Sequence, residues 1–402
     1  MNNLGILFRY EWKKIWKKKI VWIMGSIVIV SFLFSNLSFL IPYETVQTDS
    51  AGNSQTVQQG GYAAHVRECK NARKLDGRKI DEQLLKEMWK NDGSEEYKEI
   101  QAFLEVVHAG NWQEGEAVVF GPGDAEQEDD LAAEAVKGLQ QAAAGGINST
   151  AGLTAAERKY WLAQDAKVEK PLTYTYAKSW ELILTYVQDI NLWLVLLCAV
   201  CLSGVFAEER RKKTDTLILS TRNGKNPVFF AKLLAGIAFA ALWFLILHGI
   251  VFFFSFLFYG MEGFSAQIQL ASPLIPASIT VGQAVLQLLG IAILAIVLIS
   301  IFCAVLSEWL GSSVAVLAVV GGSAFLSLLI EIPGDKRVLA QIHDLLPMNV
   351  VSIHTFLDYK TVSVFGMRLI DLQCAYIIYP LLAVILLLLG RWKYCRCHAG
   401  SR

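Results

Sequence analysis

Charge is scarce in this chain. Asp, Glu, Lys and Arg make up 18% of its 402 residues, against 54% hydrophobic and 11% aromatic residues. So small a charged share argues against a soluble protein of this length. No stretch fits G-x-x-x-x-G-K-[S/T], which argues against nucleotide binding through a P-loop, and no H-E-x-x-H marks a zinc hydrolase. The seven cysteines suggest no disulfide framework. Cys198, Cys201, Cys303 and Cys374 lie in or near apolar runs, Cys395 and Cys397 in the tail. Cys69 stands alone in a polar stretch. Cys395, Cys397 and His398 form a C-x-C-H without the second ligand pair a metal site needs. No cofactor and no nucleic-acid partner is expected for this chain.

Ionisable residues are nearly absent from the apolar runs. An ion-coupled carrier often places one near mid-membrane; here His248 alone qualifies, and a buried polar contact explains it better than a proton relay. No pair of short, glycine-interrupted spans occupies equivalent positions, as in many carriers. Asp335, His343, Asp344 and His354 could converge, but their spacing matches no metal or nucleophile pattern. Glu208 and Glu209 read as solvated or hydrogen-bonded structural residues rather than general bases.

What the chain does have is a set of apolar runs near the length that crosses the roughly 30 Å hydrocarbon core. Six spans are expected: Ile20–Ile41, Ile190–Ala207, Leu233–Phe258, Gln283–Leu306, Val314–Ile330 and Leu372–Gly390. Met1–Lys19 does not read as a cleaved signal. Leu4, Phe8, Trp12 and Trp16 recur at four-residue spacing, with Lys13, Lys14, Lys17, Lys18 and Lys19 toward the end. This predicts an amphipathic helix at the membrane surface, its lysines (Lys17 among them) near lipid phosphates.

Charge sign sets the topology. The first 19 residues carry six basic residues and one acid, Ala207–Lys232 seven and three, and the tail Arg391–Arg402 four and none. By the positive-inside rule all three lie in the cytosol, which six spans satisfy. The implied location is the cell membrane, multi-pass, with both termini cytosolic.

Between the first two spans, Glu44–Glu181 holds 24 acidic and 15 basic residues. Pro42 to Asp189 is read as a mostly helical extracellular domain with a juxtamembrane helix. Ser50–Gly61 reads as a linker. Helices are expected over Asp81–Lys90, Glu95–His108, Leu131–Ala144 (ending at Gly145-Gly146), and from a Thr154/Glu157 capping box to Ala166. Tyr174–Asp189 should lead helically into the second span, and Ala117–Phe120 is the one strand candidate. Tyr259–Gly282 is a short external connection with a possible interfacial helix. Glu308–Ser313 is a tight inner turn. Glu331–Asp371 is a second external segment, with a helix end at Leu345-Leu346-Pro347.

The longest basic, turn-containing break between clear spans is Phe206–Lys232, reading FAEERRKKTDTLILSTRNGKNPVFFAK. Glu208–Ser220 could extend the second span as a helix. Thr221–Pro227 supplies a turn through Asn223-Gly224 and Asn226-Pro227, and Val228–Lys232 returns to the membrane. A short structure of this kind suits a groove on a soluble partner.

On Phe206-x-Glu208-Glu209, Thr216-Leu217, Leu219-Ser220-Thr221 and Lys232, the chain resembles bacterial membrane subunits (permeases) of ABC transporters of the ABC-2, type V exporter-like, class. Asp215 stands where glycine is usual. The resemblance covers Met1–Tyr43 and Asp189–Lys393, not Glu44–Glu181. It implies an all-α polytopic membrane protein with six transmembrane helices and an inserted extracellular domain. It implies a non-enzymatic subunit, with ATP hydrolysed by separate ATPase partners in two copies. It implies a second permease subunit as homo- or heterodimer, membrane lipids as surroundings, and a lipid, peptide or drug-like export substrate. Coupling to the ATPase would fall to Glu208, Glu209, Thr216, Leu217, Ser220, Asn223, Gly224 and Lys232; Trp12, Trp16 and Lys17 would serve the interfacial helix. The other class of function is a membrane-anchored scaffold or sensor whose external domain binds a ligand or envelope protein without translocation.

Overall fold

Long apolar stretches without strand-like alternation force the backbone to satisfy its own hydrogen bonds, and in lipid that means helices. The computed structural model describes residues 2–48, 54–91, 97–101, 103–104, 128–221, 224–330, 332–333, 336–364 and 367–396. Its elements, in chain order, are α1 (Asn2–Trp16), α2 (Lys19–Leu37), β1 (Tyr43–Thr48), β2 (Ser54–Gln59), α3 (Gly61–Lys74), α4 (Glu82–Lys90), α5 (Glu128–Ser149), α6 (Ala155–Asp165), α7 (Lys178–Leu202), α8 (Gly204–Arg211), α9 (Asp215–Ser220), α10 (Asn226–Tyr259), α11 (Val281–Leu310), α12 (Ser313–Leu329), α13 (Arg337–Asp344), β3 (Val362–Val364), β4 (Met367–Leu369) and α14 (Asp371–Arg396). The protein is mostly helical.

Among the described residues, five helical stretches are long and apolar enough to cross a membrane: Lys19–Leu40, Lys178–Arg211, Asn226–Tyr259, Val281–Leu310 and Asp371–Arg396. The protein is a membrane protein on that ground. The sixth apolar helix, Ser313–Leu329, has 17 residues. At 1.5 Å per residue it reaches about 25 Å, short of a full hydrocarbon thickness.

The chain divides into two units, Met1–Phe32 with Thr185–Val251 and Gln287–Arg402, and Leu33–Leu184 with Phe252–Leu286. In the first, small residues admit close helix approach. Gly25 of α2 faces the Trp243 indole of α10, where a Cβ would overlap the ring. Cys198, Ala199, Ala235, Ala292, Ala295 and Cys303 are fully buried, consistent with helix contacts in lipid built on small side chains. Leu245 and Leu388 are exposed, as lipid-facing residues should be.

In the second unit, His65, Cys69, Ala72 and Tyr176 are buried, with Tyr259 packed against this core. The Phe39 and His65 rings are 4.3 Å apart, and His65 Nε2 lies 3.2 Å from the Phe258 carbonyl. Cys69 is a buried free thiol, pushed up by burial from its ordinary pKa. The Thr154/Glu157 capping box is present, with both reciprocal bonds. Asp81 caps α4, accepting from the Leu84 amide at 3.0 Å.

Several expectations are corrected. Part of the Ser50–Gly61 linker is a strand: Ser54–Gln59 pairs antiparallel with Tyr43–Thr48, Thr45 opposite Val57 and Val46 opposite Thr56. Both segments carry Thr-Val-Gln, and β-branched residues suit the pleat. The helix expected to stop at Gly145-Gly146 runs on to Ser149. Its last carbonyls are taken by the Thr150 hydroxyl, donating to Gly146 at 2.6 Å, and by Arg158, donating to Ile147 and Thr150 at 3.0 Å each. Helix α7 starts at Lys178, not Tyr174. Residues before it are held extended: the Tyr174 amide donates to Arg78 and the Gly77 amide to Tyr174. The 259–282 connection contains only a short 3₁₀ turn, Ile268–Leu270. The 331–371 segment adds a hairpin, β3–β4. The C-terminal helix continues into the expected tail as far as Arg396. Helix 95–108 is seen at 98–101 and 103–104; the rest of it, Ala117–Phe120, Asp335, Cys397 and His398 lie outside the described residues.

Candidate functional site

The 206–232 stretch is not one continuous helix. α8 ends at Arg211, the chain reverses through Lys213 (φ 53°), and α9 begins at Asp215. The Thr214 amide donates to the Glu209 carbonyl at 3.0 Å, which closes the reversal. The position where the resemblance expects glycine is thus the first residue of a new short helix. The expected turn follows: the Gly224 amide donates to Thr221 at 3.0 Å. A Cβ on Gly224 would overlap the Ile218 carbonyl, so the tightness of this turn demands glycine. Pro227 then sits at the start of α10, where its missing N–H costs nothing. That helix opens at Asn226, so the returning limb and the span are one helix of 34 residues.

An ionic cluster, buried at Lys232 and Glu209, holds the stretch in place. Lys232 is 1% exposed. Its Nζ lies 2.7 Å from Glu209 Oε1 and 3.6 Å from Glu11 Oε2, and donates to the Val205 carbonyl at 2.8 Å. Lys14 bridges the same two carboxylates, 3.3 Å from Glu11 and in direct contact with Glu209. Two acids and two bases balance: Lys232 and Glu209 are buried, and Lys14 reaches the two carboxylates from an exposed position. Burial pulls the Lys14 ammonium down, but the Glu11 and Glu209 carboxylates outweigh it and hold its pKa above the ordinary lysine value. Alongside, Lys18 pairs with Glu208 at 2.6 Å in a half-exposed position. The Lys232 ammonium also stands 5.0 Å from the centre of the Phe206 ring.

Two further helices lock the stretch. The Ser307 hydroxyl of α11 accepts from the Phe206 and Ala207 amides at 3.1 and 3.0 Å and donates to the Ser203 carbonyl at 2.6 Å. These bonds satisfy backbone groups at the α7–α8 break, where helix ends leave orphans. Arg210 donates to the Glu308 carboxylate and carbonyl at 2.8 and 2.7 Å. From α14, the Tyr394 hydroxyl donates to the Gly224 carbonyl at 3.1 Å and Arg391 donates to Asn226 at 3.1 Å. The Tyr394 ring packs with Phe206 and Phe229 at 5.4 and 5.6 Å.

What α9 leaves uncovered is one face, since Leu219 is buried. Leu217 is 69% exposed and Ser220 is exposed, its hydroxyl donating back to the Leu217 carbonyl at 2.9 Å. Thr216 lies in the same helix; Asn223 lies outside the described residues. Of the residues singled out from sequence, Glu208, Glu209, Gly224 and Lys232 are therefore anchors, and Leu217 and Ser220 form the presented face.

α1 carries the aromatic stripe. Trp16 packs against Phe239 and Trp243 at 5.5 and 6.2 Å, and Trp12 against Trp16 at 5.6 Å. Lys17 is exposed. Lys14 and Lys18 correct the expectation that the whole lysine cluster serves lipid phosphates: both are engaged by carboxylates. Sequence reasoning missed Glu11, Lys14, Lys18, Ser307 and Glu308 as parts of this site. One signal was available, since Glu11 is the single acid among the first 19 residues. His248 binds the Phe244 carbonyl of its own helix at 2.9 Å, the polar contact expected. His343, Asp344 and His354 do line one cavity.

No family model, no curated protein and no solved structure matches this chain.

Proposed function

We propose that the chain is the membrane subunit of an ATP-driven transporter of the ABC-2 permease type, taking its energy from a separate ATPase subunit that grips the 208–232 stretch. The observation that carries this reading is the contrast within that stretch. Its two limbs are fixed to three other helices by buried charge and hydrogen bonds, while the short helix between them holds a large apolar side chain in the open. Rigid mounting of an exposed apolar residue suits a partner's pocket, and rigid limbs transmit that partner's movement to the spans they join.

In this reading the chain has six spans, α12 among them, and the stretch and both termini face the cytosol of a cell membrane. The 42–189 insertion faces outside. Two permease subunits, alike or different, assemble over two ATPase subunits, and the cargo is a lipid, peptide or drug-like molecule moving outward. The basic bias of the three inward segments supports the orientation. Purification of the tagged chain from its native membrane tests the reading directly: an ATP-hydrolysing subunit should accompany it and should be lost on Leu217→Asp.

A further inference from the structure

We infer that Asp344, Asp358 and Asp371 form a binding site for a divalent cation of the calcium type. The three residues come from separate pieces of chain. Asp344 ends α13, Asp358 follows the Ile353–Phe356 turn, and Asp371 is the first residue of α14. One carboxylate oxygen from each lies within 4.8 Å of the others, a span that one ion at about 2.3–2.6 Å from each oxygen can bridge.

Acidic residues cluster at many surfaces without a ligand; Asp371 separates this cluster from those. It is 3% exposed, and neither of its carboxylate oxygens accepts from a donor among the described residues; its polar neighbour is the Asp358 carboxylate, which it can meet only by sharing a proton or a cation. Oδ2 of Asp358 is likewise buried without a partner. Buried carboxylates left this way are costly unless a positive charge faces them. Lys360 supplies one such charge, 3.6 Å from both Asp344 and Asp358. With all three carboxylates ionised, one ammonium leaves two negative charges, which a divalent ion would neutralise. Oxygen donors without thiolate select a hard cation over zinc or copper. The site opens into a cavity of about 520 Å³ lined also by Asn349 and His354, room enough for the waters that complete a calcium shell. Spanning three loop ends, the ion would staple the 331–371 segment to the start of the last apolar helix. Nothing in this inference depends on transport.

The test is thermal unfolding of the full chain in detergent, metal-stripped with EDTA and then given calcium chloride or magnesium chloride up to about 1 mM, the level weak external calcium sites require. Calcium should raise the unfolding temperature saturably and more than magnesium does. Asp371→Asn should remove that rise while unfolding no earlier than wild type without metal, because it relieves repulsion. Loss of supporting groups alone lowers metal affinity about 10–100-fold, so loss of a direct ligand should weaken calcium at least that much by calorimetric titration. No calcium response in wild type, or an undiminished response in Asp371→Asn, overturns the site. Should that variant not fold, Asp358→Asn is read by the same two criteria.

Discussion

Lys232 Nζ sits 2.7 Å from Glu209 Oε1 with the lysine 1% exposed, joining α8 to α10. Removing one member leaves the other buried and uncompensated. Lys232→Met should therefore destabilise the protein by about 3–5 kcal/mol. Glu209→Gln combined with Lys232→Met should cost clearly less than the two single changes added together. Chemical unfolding of the four proteins in detergent checks both statements.

The neighbouring pair behaves differently because water reaches it. Lys18→Ala, breaking the half-exposed bond to Glu208, should cost no more than about 1 kcal/mol and less at high salt. Lys17→Ala, at an exposed position outside the ion pairs, should leave stability unchanged within error. A salt series on the two variants separates them.

These two outcomes bear on what was legible in the sequence. Long apolar runs announced the helices of the five long spans, and Thr154 with Glu157 announced a helix start, because both signals are local. The turn at Gly224 was legible for the same reason. Glu11 and Lys14 were not. They meet Glu209 and Lys232 across about 200 positions of chain, and no spacing rule relates residues brought together by packing. Likewise Asp344 was noticed beside His343, but Asp358 and Asp371 were not, since each lies at the end of a different element. The 54–59 strand was hidden by its polar composition.

Gly224→Ala should open the turn. Its added carbon meets the Ile218 carbonyl, and the Tyr394 bond to the Gly224 carbonyl would be strained with it. A loss of about 1–3 kcal/mol is expected for such crowding. Faster tryptic cleavage after Lys225 should report it. Tyr394→Phe removes only the hydrogen bond and should cost about 1 kcal/mol.

The Lys14 ammonium gives the clamp an alkaline signature. Its pKa is raised in the folded protein, so its contribution is complete below the ordinary lysine value of 10.5 and fades as pH rises through the folded value. Lys14→Arg keeps its charge there and should shift the alkaline loss of stability upward, whereas Lys14→Met should abolish that component. Unfolding midpoints measured along an alkaline pH series distinguish the two.

The central claim is that α9 is the face a separate ATPase grips, and Leu217→Asp tests it most directly. Leu217 is 69% exposed, so an acid there should shift folding stability by no more than about 0.5 kcal/mol. The measurement is ATPase activity recovered with the affinity-purified chain from its native membrane, wild type against Leu217→Asp, with unfolding temperatures compared alongside. The account predicts activity with wild type and its loss with the variant at unchanged unfolding temperature. Absence of any ATPase with wild type, or equal activity with both, would contradict it.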